Sequence, residues 1–421
     1  MRRLFILPLL SLSVWGSSLS ILIEKAQSNE LIDVYKAKLT SSTMAYDATK
    51  SSYYPRSGLG ASRQLISPKD SLGAGQIYNV HAEASLVVMD GFKRENILDE
   101  KTKLRHASEY DLSQVKKDVA LQVASLYFNL QIVQADIDAL EQTREQLSEQ
   151  LNQQRKFFEA KLTTEDNVVR IEAAVANVDY RVEVKRYEYD ETMANLYTLT
   201  NELVEVVEAG GLVEPSFGKT EELDRLQSMA STAEAVRYKA EQVDSSYYPN
   251  IILSDRFGYT AYEDDAFDDL ANSPLGSSFE RINTQNVLML SLKMNIIDFS
   301  AASEQKQVVL AEHNALKAKL AYKRKETSAD LKLAERAIER SKKLLEASEL
   351  SQNASNRTFE IIDKKYKARV VDYVKYLDAL TQKTEAMAQY NRSIGALEIE
   401  YGRYYYVAGS CGKYNGKGSK Q

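Results

Sequence analysis

Residues able to do covalent or metal chemistry are few and scattered in this chain. Its 421 residues include three histidines, His81, His106 and His313, and one cysteine, Cys411. The histidines lie far apart, two of them on predicted helices without ligand spacing, and neither a Gly-rich phosphate loop nor a nucleophile elbow occurs. Cys411 sits in a Gly/Ser/Lys tail, so no disulfide framework and no cysteine metal site can form. The loop from Glu263 to Asn283 gathers Glu263, Asp264, Asp265, Asp268 and Asp269. Calcium would find oxygens there, but the spacing is not that of an EF-hand loop, and a solvated acidic loop is the better reading. Asp372, Lys375 and Asp378 recur at three-residue spacing, which is also that of ordinary solvated i, i+3 pairs on a helix. No enzyme, metal or cofactor is indicated, and a net charge of −6 argues against nucleic acid as a partner.

With no reaction centre to position, the elements carry the information. Six prolines and seventeen glycines punctuate the chain unevenly: no glycine occurs between Phe92 and Ala209 or between Ser277 and Ile394, and no proline follows Pro274. Stretches so long without breakers, rich in Ala, Leu, Glu, Lys, Gln and Arg, predict very long helices. The chain also repeats itself, a feature to settle before any other. Ser-Ser-Tyr-Tyr-Pro occurs at Ser51 to Pro55 and again at Ser245 to Pro249, and an aspartate closes an apolar strand at Asp90 and at Asp298. Pro55 and Pro249 lie 194 residues apart but Asp90 and Asp298 lie 208 apart, so the second copy carries about fourteen extra residues, which fit a surface loop better than a packed element.

Arg2-Arg3, an apolar run from Leu4 to Val14, and Gly16-Ser17-Ser18 have the order of a secretory signal peptide, assigned to residues 1–20. No later run approaches the ~20 apolar residues of a transmembrane helix. If the chain sits in a membrane, it must do so as a barrel.

The remaining pattern divides into a first repeat over residues 21–210, a second over 211–407 and a disordered tail over 408–421. Each repeat opens with a helix, Glu30 to Ser52 and Glu222 to Asp244, ended by Tyr-Tyr-Pro. Strands follow at Ser57 to Ser67 and Gln76 to Met89, then at Ile252 to Tyr262 and Asn286 to Ile297. In the second strand Val80, Ala82, Ala84, Leu86 and Val88 alternate with polar residues; in the fourth Leu288, Leu290, Leu292, Met294 and Ile296 form one apolar face, suited to lipid. Facing strands of a water-soluble sandwich fit the same alternation. Long helices are predicted from Asn96 to Phe158, with a 3.5-residue seam from Leu112 through Val119 and Leu130 to Leu140, and from Ala302 to Tyr366. The 63 residues of the first span roughly 95 Å. Each turns, near Ala160 to Thr164 and near Ala368 to Val371, and returns along a helix too short to match it. The helix from Glu222 is expected to complete the first return and the N-terminal helix the second.

Four strands cannot close a barrel, since the smallest membrane barrels use eight. Open edges in lipid cost several kcal/mol per unpaired group, so strands in a bilayer would require oligomerisation.

This order of elements resembles the TolC-type outer-membrane efflux protein family over nearly the whole chain. The resemblance rests on Tyr53-Tyr54-Pro55, Tyr247-Tyr248-Pro249, Met89-Asp90-Gly91, and the tips Phe158-Glu159-Ala160-Lys161-Leu162 with Asn167-Val168-Val169-Arg170 and Lys365-Tyr366-Lys367-Ala368-Arg369 with Leu377-Asp378-Ala379. It implies a mainly α fold of long antiparallel hairpins with four strands per protomer, completing a homotrimeric 12-stranded outer-membrane β-barrel above a helical tunnel through the periplasm. It further implies an exit duct for efflux or type I secretion, without catalysis, whose tips dock on a periplasmic adaptor fed by an inner-membrane RND or ABC-type transporter. The tip residues would be Lys161, Leu162, Thr163, Arg369, Val370 and Val371. Family members have glycine where Lys161 and Arg369 stand. The family's aperture carries two aspartates; here Lys375 replaces one, leaving Asp378 as a candidate cation-attracting ring with Lys375 and Asp372 beside it. Of the family's gate restraint Tyr366 remains, while Asn167 and Val371 replace charged partners. A periplasmic adaptor or structural coiled coil is the alternative, although adaptors have one hairpin and need a β domain not found here.

Overall fold

The structure, a computed structural model, describes residues 18–68, 74–202, 210–218, 221–265 and 282–410. Most of the expected signal peptide and acidic loop, and Cys411 with its tail, lie outside the described residues. Helices α1 (Leu19–Ala26) and α2 (Glu30–Ser51) lead into strands β1 (Arg56–Leu65) and β2 (Ala74–Asp90) and the hairpin α3 (Lys93–Glu159) and α4 (Glu165–Thr200). The same order follows with α5 (Asp224–Asp244), β3 (Asn250–Asp265), β4 (Thr284–Lys293), α6 (Ala301–Lys367) and α7 (Tyr373–Val407). The mainly α fold with four strands is thus as the sequence reads. Helix α1 was not foreseen; its Leu22 and Ala26 are fully buried. Among the described residues no helix is long and apolar enough to cross a membrane.

Two compact units divide the described chain, and they cut across the sequence repeats. One draws on residues up to Lys36, on Asp111–Leu226 and on the chain from Tyr322; the other comprises Ala37–Tyr110 and Gln227–Ala321.

The first unit is helical. Helices α3 and α6 each run 67 residues, about 100 Å at 1.5 Å per residue. The seam is what α3 buries: Val115, Val119, Val123, Leu130, Val133, Ile137 and Leu140 are all interior. Val115, Val119, Val123 and Leu130 cluster with Ile32 of α2, Leu196 of α4, Ile338 of α6 and Tyr404 of α7, and Leu140 with Ile171 and Val178 of α4 and Leu380 of α7. Helices α3 and α7 approach closely at Gly395, where a Cβ would fall 2.3 Å from Ile132 Cγ1.

The expected stacking of short helices is reversed. At the end of α4, Asn201 Nδ2 donates to the Glu30 carboxylate at 3.1 Å and Asn29 Nδ2 donates to the Leu199 carbonyl at 3.2 Å, so α2 begins where α4 stops. At the end of α7, the Glu221 N–H donates to the Ala408 carbonyl at 2.9 Å, which delivers α5 to the second hairpin instead. The crossing is made by residues 210–218. The Leu212 N–H donates to Glu398 Oε2 at 2.6 Å and Tyr405 Oη–H donates to the Val213 carbonyl at 2.9 Å. Gly211 permits this approach, because a Cβ there would sit 2.8 Å from Glu398 Oε1.

In the second unit the strands form one antiparallel sheet in the order β1-β2-β3-β4, with β1 and β4 at its edges. Directly opposed residues share a face and successive residues alternate. The register Leu59↔Ala82↔Phe257 and Ala61↔Val80↔Tyr259 therefore puts the exposed Leu59, Val80, Phe257, Tyr259, Leu288, Leu290 and Leu292 and the half-buried Leu253 on one mainly apolar face, which also carries Arg63, Asp255 and Glu263. The opposite face carries Asn79, His81, Glu83, Ser254, Arg256, Thr260 and Gln285. The alternation read for β2 holds up to a bulge between Val87 and Met89, which displaces Val88. Strand β4 ends at Lys293, opposite Asn250 at the start of β3. Met294 and Ile296, expected on the strand, lie beyond it, because the partner strand has run out there.

Candidate functional site

Both hairpin tips are built the same way. Helix α3 closes with Lys161 at φ 58° and α6 with Arg369 at φ 58°. In each, two backbone bonds cap the helix: Lys161 N–H to Phe158 O at 2.9 Å and Leu162 N–H to Phe157 O at 2.7 Å, then Arg369 N–H to Tyr366 O at 2.9 Å and Val370 N–H to Lys365 O at 2.8 Å. This is a Schellman closure, whose left-handed residue is usually glycine because any Cβ crowds the following carbonyl. Both side chains are exposed, and so are the aliphatic residues that follow, Leu162 (63%) and Val370 (70%). Thr163 and Val371 are half-buried. Arg369 reaches back to the first tip, its guanidinium carbon 5.6 Å from the Phe157 ring centre.

Asp372 is the N-cap of α7, its Oδ1 accepting the Lys375 N–H at 3.0 Å. Asp378 is exposed and accepts from Gln382 Nε2 at 3.1 Å. Lys375 is exposed, on the same helix. Tyr366 and Asn167 are not bonded to each other. Tyr366 Oη accepts from Gln154 Nε2 at 2.8 Å, joining α6 to α3, whereas Asn167 Nδ2 donates to the Thr163 and Thr164 hydroxyls of its own turn.

What the sequence reading missed is an aromatic cluster behind the second tip. Tyr366 stacks on Tyr376 with centroids 4.8 Å apart, Tyr373 lies 5.8 Å from both, and Phe359 lies 5.6 Å from Tyr376. Burial pushes all three phenol pKa values above the ordinary tyrosine range. The Tyr373 hydroxyl has no hydrogen-bond partner among the described residues. The signal was present in the seven-residue spacing of Phe359, Tyr366 and Tyr373, on either side of a turn. Also missed was the buried Asp136, whose Oδ2 lies 3.3 Å from Lys185 Nζ.

None of these groups forms a nucleophile and base pair, and no group of His, Cys, Asp or Glu suited to a metal occurs among the described residues. The arrangement presents charge and apolar surface rather than a reaction centre.

Residues 22–202 match the sequence model of the outer membrane efflux protein family. No curated protein sequence matches the chain. In fold it is similar to the CmeC outer membrane channel of Campylobacter jejuni (13% identity, 94% of this chain and 86% of that one, TM-score 0.81). It is also similar to the outer membrane protein VceC of Vibrio cholerae (14%, 93% and 96%, 0.79) and the MtrE outer membrane channel of Neisseria gonorrhoeae, solved in its open state (17%, 94% and 90%, 0.79). The resemblance read from the two tips and the Tyr-Tyr-Pro repeats is thereby borne out.

Proposed function

We propose, for a chain whose residues 22–202 match the outer membrane efflux protein family and whose fold is similar to that of outer membrane channels, that it belongs to this family and that three copies form an exit duct through the outer membrane and periplasm. The observation that carries this is the sheet. It has one mainly apolar face, one polar face and two open edges, β1 and β4. A sheet with lipid on one side and water on the other is stable only when its edges are paired. Three copies supply twelve strands, β4 of each pairing with β1 of the next, and leave a lumen. Leu288, Leu290 and Leu292 then face lipid. The ten-residue edge strands β1 and β4, about 33 Å long and tilted about 40°, match an apolar band of about 25 Å, and the inner strands of 17 and 16 residues extend beyond it. Tyr78 and Tyr259 supply aromatic groups toward one end of that band, and Tyr54, Phe92 and Phe299 toward the other.

Substrate enters from a periplasmic adaptor seated on the tips, where Lys161-Leu162-Thr163 and Arg369-Val370-Val371 offer paired cations and aliphatic side chains, and an inner-membrane RND or ABC-type transporter supplies the energy. Asp378, with Lys375 and Asp372 nearby, lines the periplasmic aperture, and the Gln154–Tyr366 bond restrains it. The test is reconstitution of the purified full chain into planar bilayers. Unitary conductance steps from an outer-membrane oligomer are expected; a water-soluble monomer that leaves bilayers sealed would overturn the reading and favour a periplasmic adaptor or structural role.

A further inference from the structure

If the duct forms as proposed, the polar face of the sheet becomes the wall of its β section, and the distribution of charge on that face is uneven. The geometry points to a cationic collar centred on Arg256 that makes this section favour anionic permeants. Two adjacent rows of the register carry the case: Gly58↔Glu83↔Arg256↔Val287 and Gly60↔His81↔Gly258↔Gln285. Glu83 lies directly opposite Arg256 on the neighbouring strand, where an ion pair would be expected, yet none forms between them. The carboxylate lies instead across β1, the other neighbour of β2. A Cβ on Gly58 would be 3.8 Å from Glu83 Cγ and Oε1. His81 lies the same way, its ring over Gly60, where a Cβ would come within 2.5 Å of Cε1. Glycines on β1 thus receive both side chains and leave the Arg256 guanidinium without the neutralisation its position offers.

The rest of the face adds to the imbalance. By the same alternation Arg56, opposite Ser85, and Lys293, opposite Asn250, point to it from the two edge strands. Asp90, beyond the bulge, is held by Arg94 Nε at 3.0 Å. Arg63, Asp255 and Glu263 alternate onto the other face. Among the residues whose side chains are described, each copy therefore brings Arg56, Arg256 and Lys293 against Glu83 and the paired Asp90, inside a chain whose overall charge is negative. Rings of one sign at a lumen wall set ion preference.

The test is the reversal potential of the reconstituted pore in a KCl gradient. Arg256→Gln is expected to lower the anion-to-cation permeability ratio roughly twofold or more near 0.1 M salt, where screening is incomplete. Glu83→Gln should raise it, and Arg256→Lys should keep the original ratio. Conducting pores whose reversal potential is unmoved by Arg256→Gln and Glu83→Gln would overturn the collar while leaving the duct standing. Absence of any conductance in the unaltered chain would remove the duct, and the collar with it.

Discussion

Lys161→Gly and Arg369→Gly separate backbone strain from side-chain work at two positions of identical geometry. Both residues adopt φ 58°. An L-residue in that region is disfavoured by roughly 1–2 kcal/mol, while glycine loses about 0.5–1 kcal/mol more backbone freedom on folding. Lys161→Gly should therefore stabilise its tip by about 0.5–1 kcal/mol net. Arg369→Gly gains the same backbone relief but removes the guanidinium from the Phe157 ring at 5.6 Å. An exposed contact of that kind is worth about 0.5–1 kcal/mol, so the net change should be close to zero. Amide exchange reads this locally, because the Leu162 N–H and Val370 N–H close the two turns. Lys161→Gly should slow exchange of the Leu162 peptide by roughly two- to fivefold; Arg369→Gly should leave the Val370 peptide almost unchanged. Faster exchange after Lys161→Gly would refute the strain assignment. An equal gain at both sites would refute the role given to Arg369 and Phe157.

Four further outcomes are expected. Gly395→Ala places a methyl group against Ile132 and should destabilise the α3–α7 contact by about 1–3 kcal/mol, seen as a lower midpoint in thermal unfolding; an unchanged midpoint would mean that Ile132 simply moves aside. Tyr373→Phe removes an unpartnered buried hydroxyl and should be neutral or stabilising by up to ~1 kcal/mol, whereas Tyr366→Phe loses the Gln154 bond and should cost about that much. The raised pKa values of Tyr366, Tyr373 and Tyr376 mean that the fold favours their neutral forms. Their contribution is full below the unfolded tyrosine value of about 10 and is lost as pH rises above it, so near-UV circular dichroism of the cluster should persist at neutral pH and fade in alkali. Asp378→Asn should lower cation preference in bilayer recordings, and an unmoved reversal potential would count against an aspartate ring at the aperture.

Long periods were legible in the sequence because they repeat. The α3 seam from Val115 to Leu140 declared itself over several heptads, and the alternation in β2 and β4 fixed which side chains share a face. Alternation says nothing, however, about where a partner strand ends. Met294 and Ile296 continue the pattern of Leu288, Leu290 and Leu292 past Lys293, and only the pairing with Asn250 shows where the ladder stops. The stacking of α2 on α4 and of α5 on α7 was misread for a related reason: helix lengths say that a return is short but not which short helix completes it. That choice rests on tertiary bonds from Asn29, Asn201 and Leu212 to residues 170, 171 and 186 positions away. At the tips the unusual cations were visible, while their backbone strain and the tyrosine cluster depend on side chains brought together across a turn.

The central claim is that the two open edges, β1 and β4, are paired between copies. Native mass spectrometry of the detergent-extracted protein tests it most directly. Three chain masses, reverting to one when heat separates the strands, is the predicted result. A stable single chain, intact and folded before heating, would contradict it.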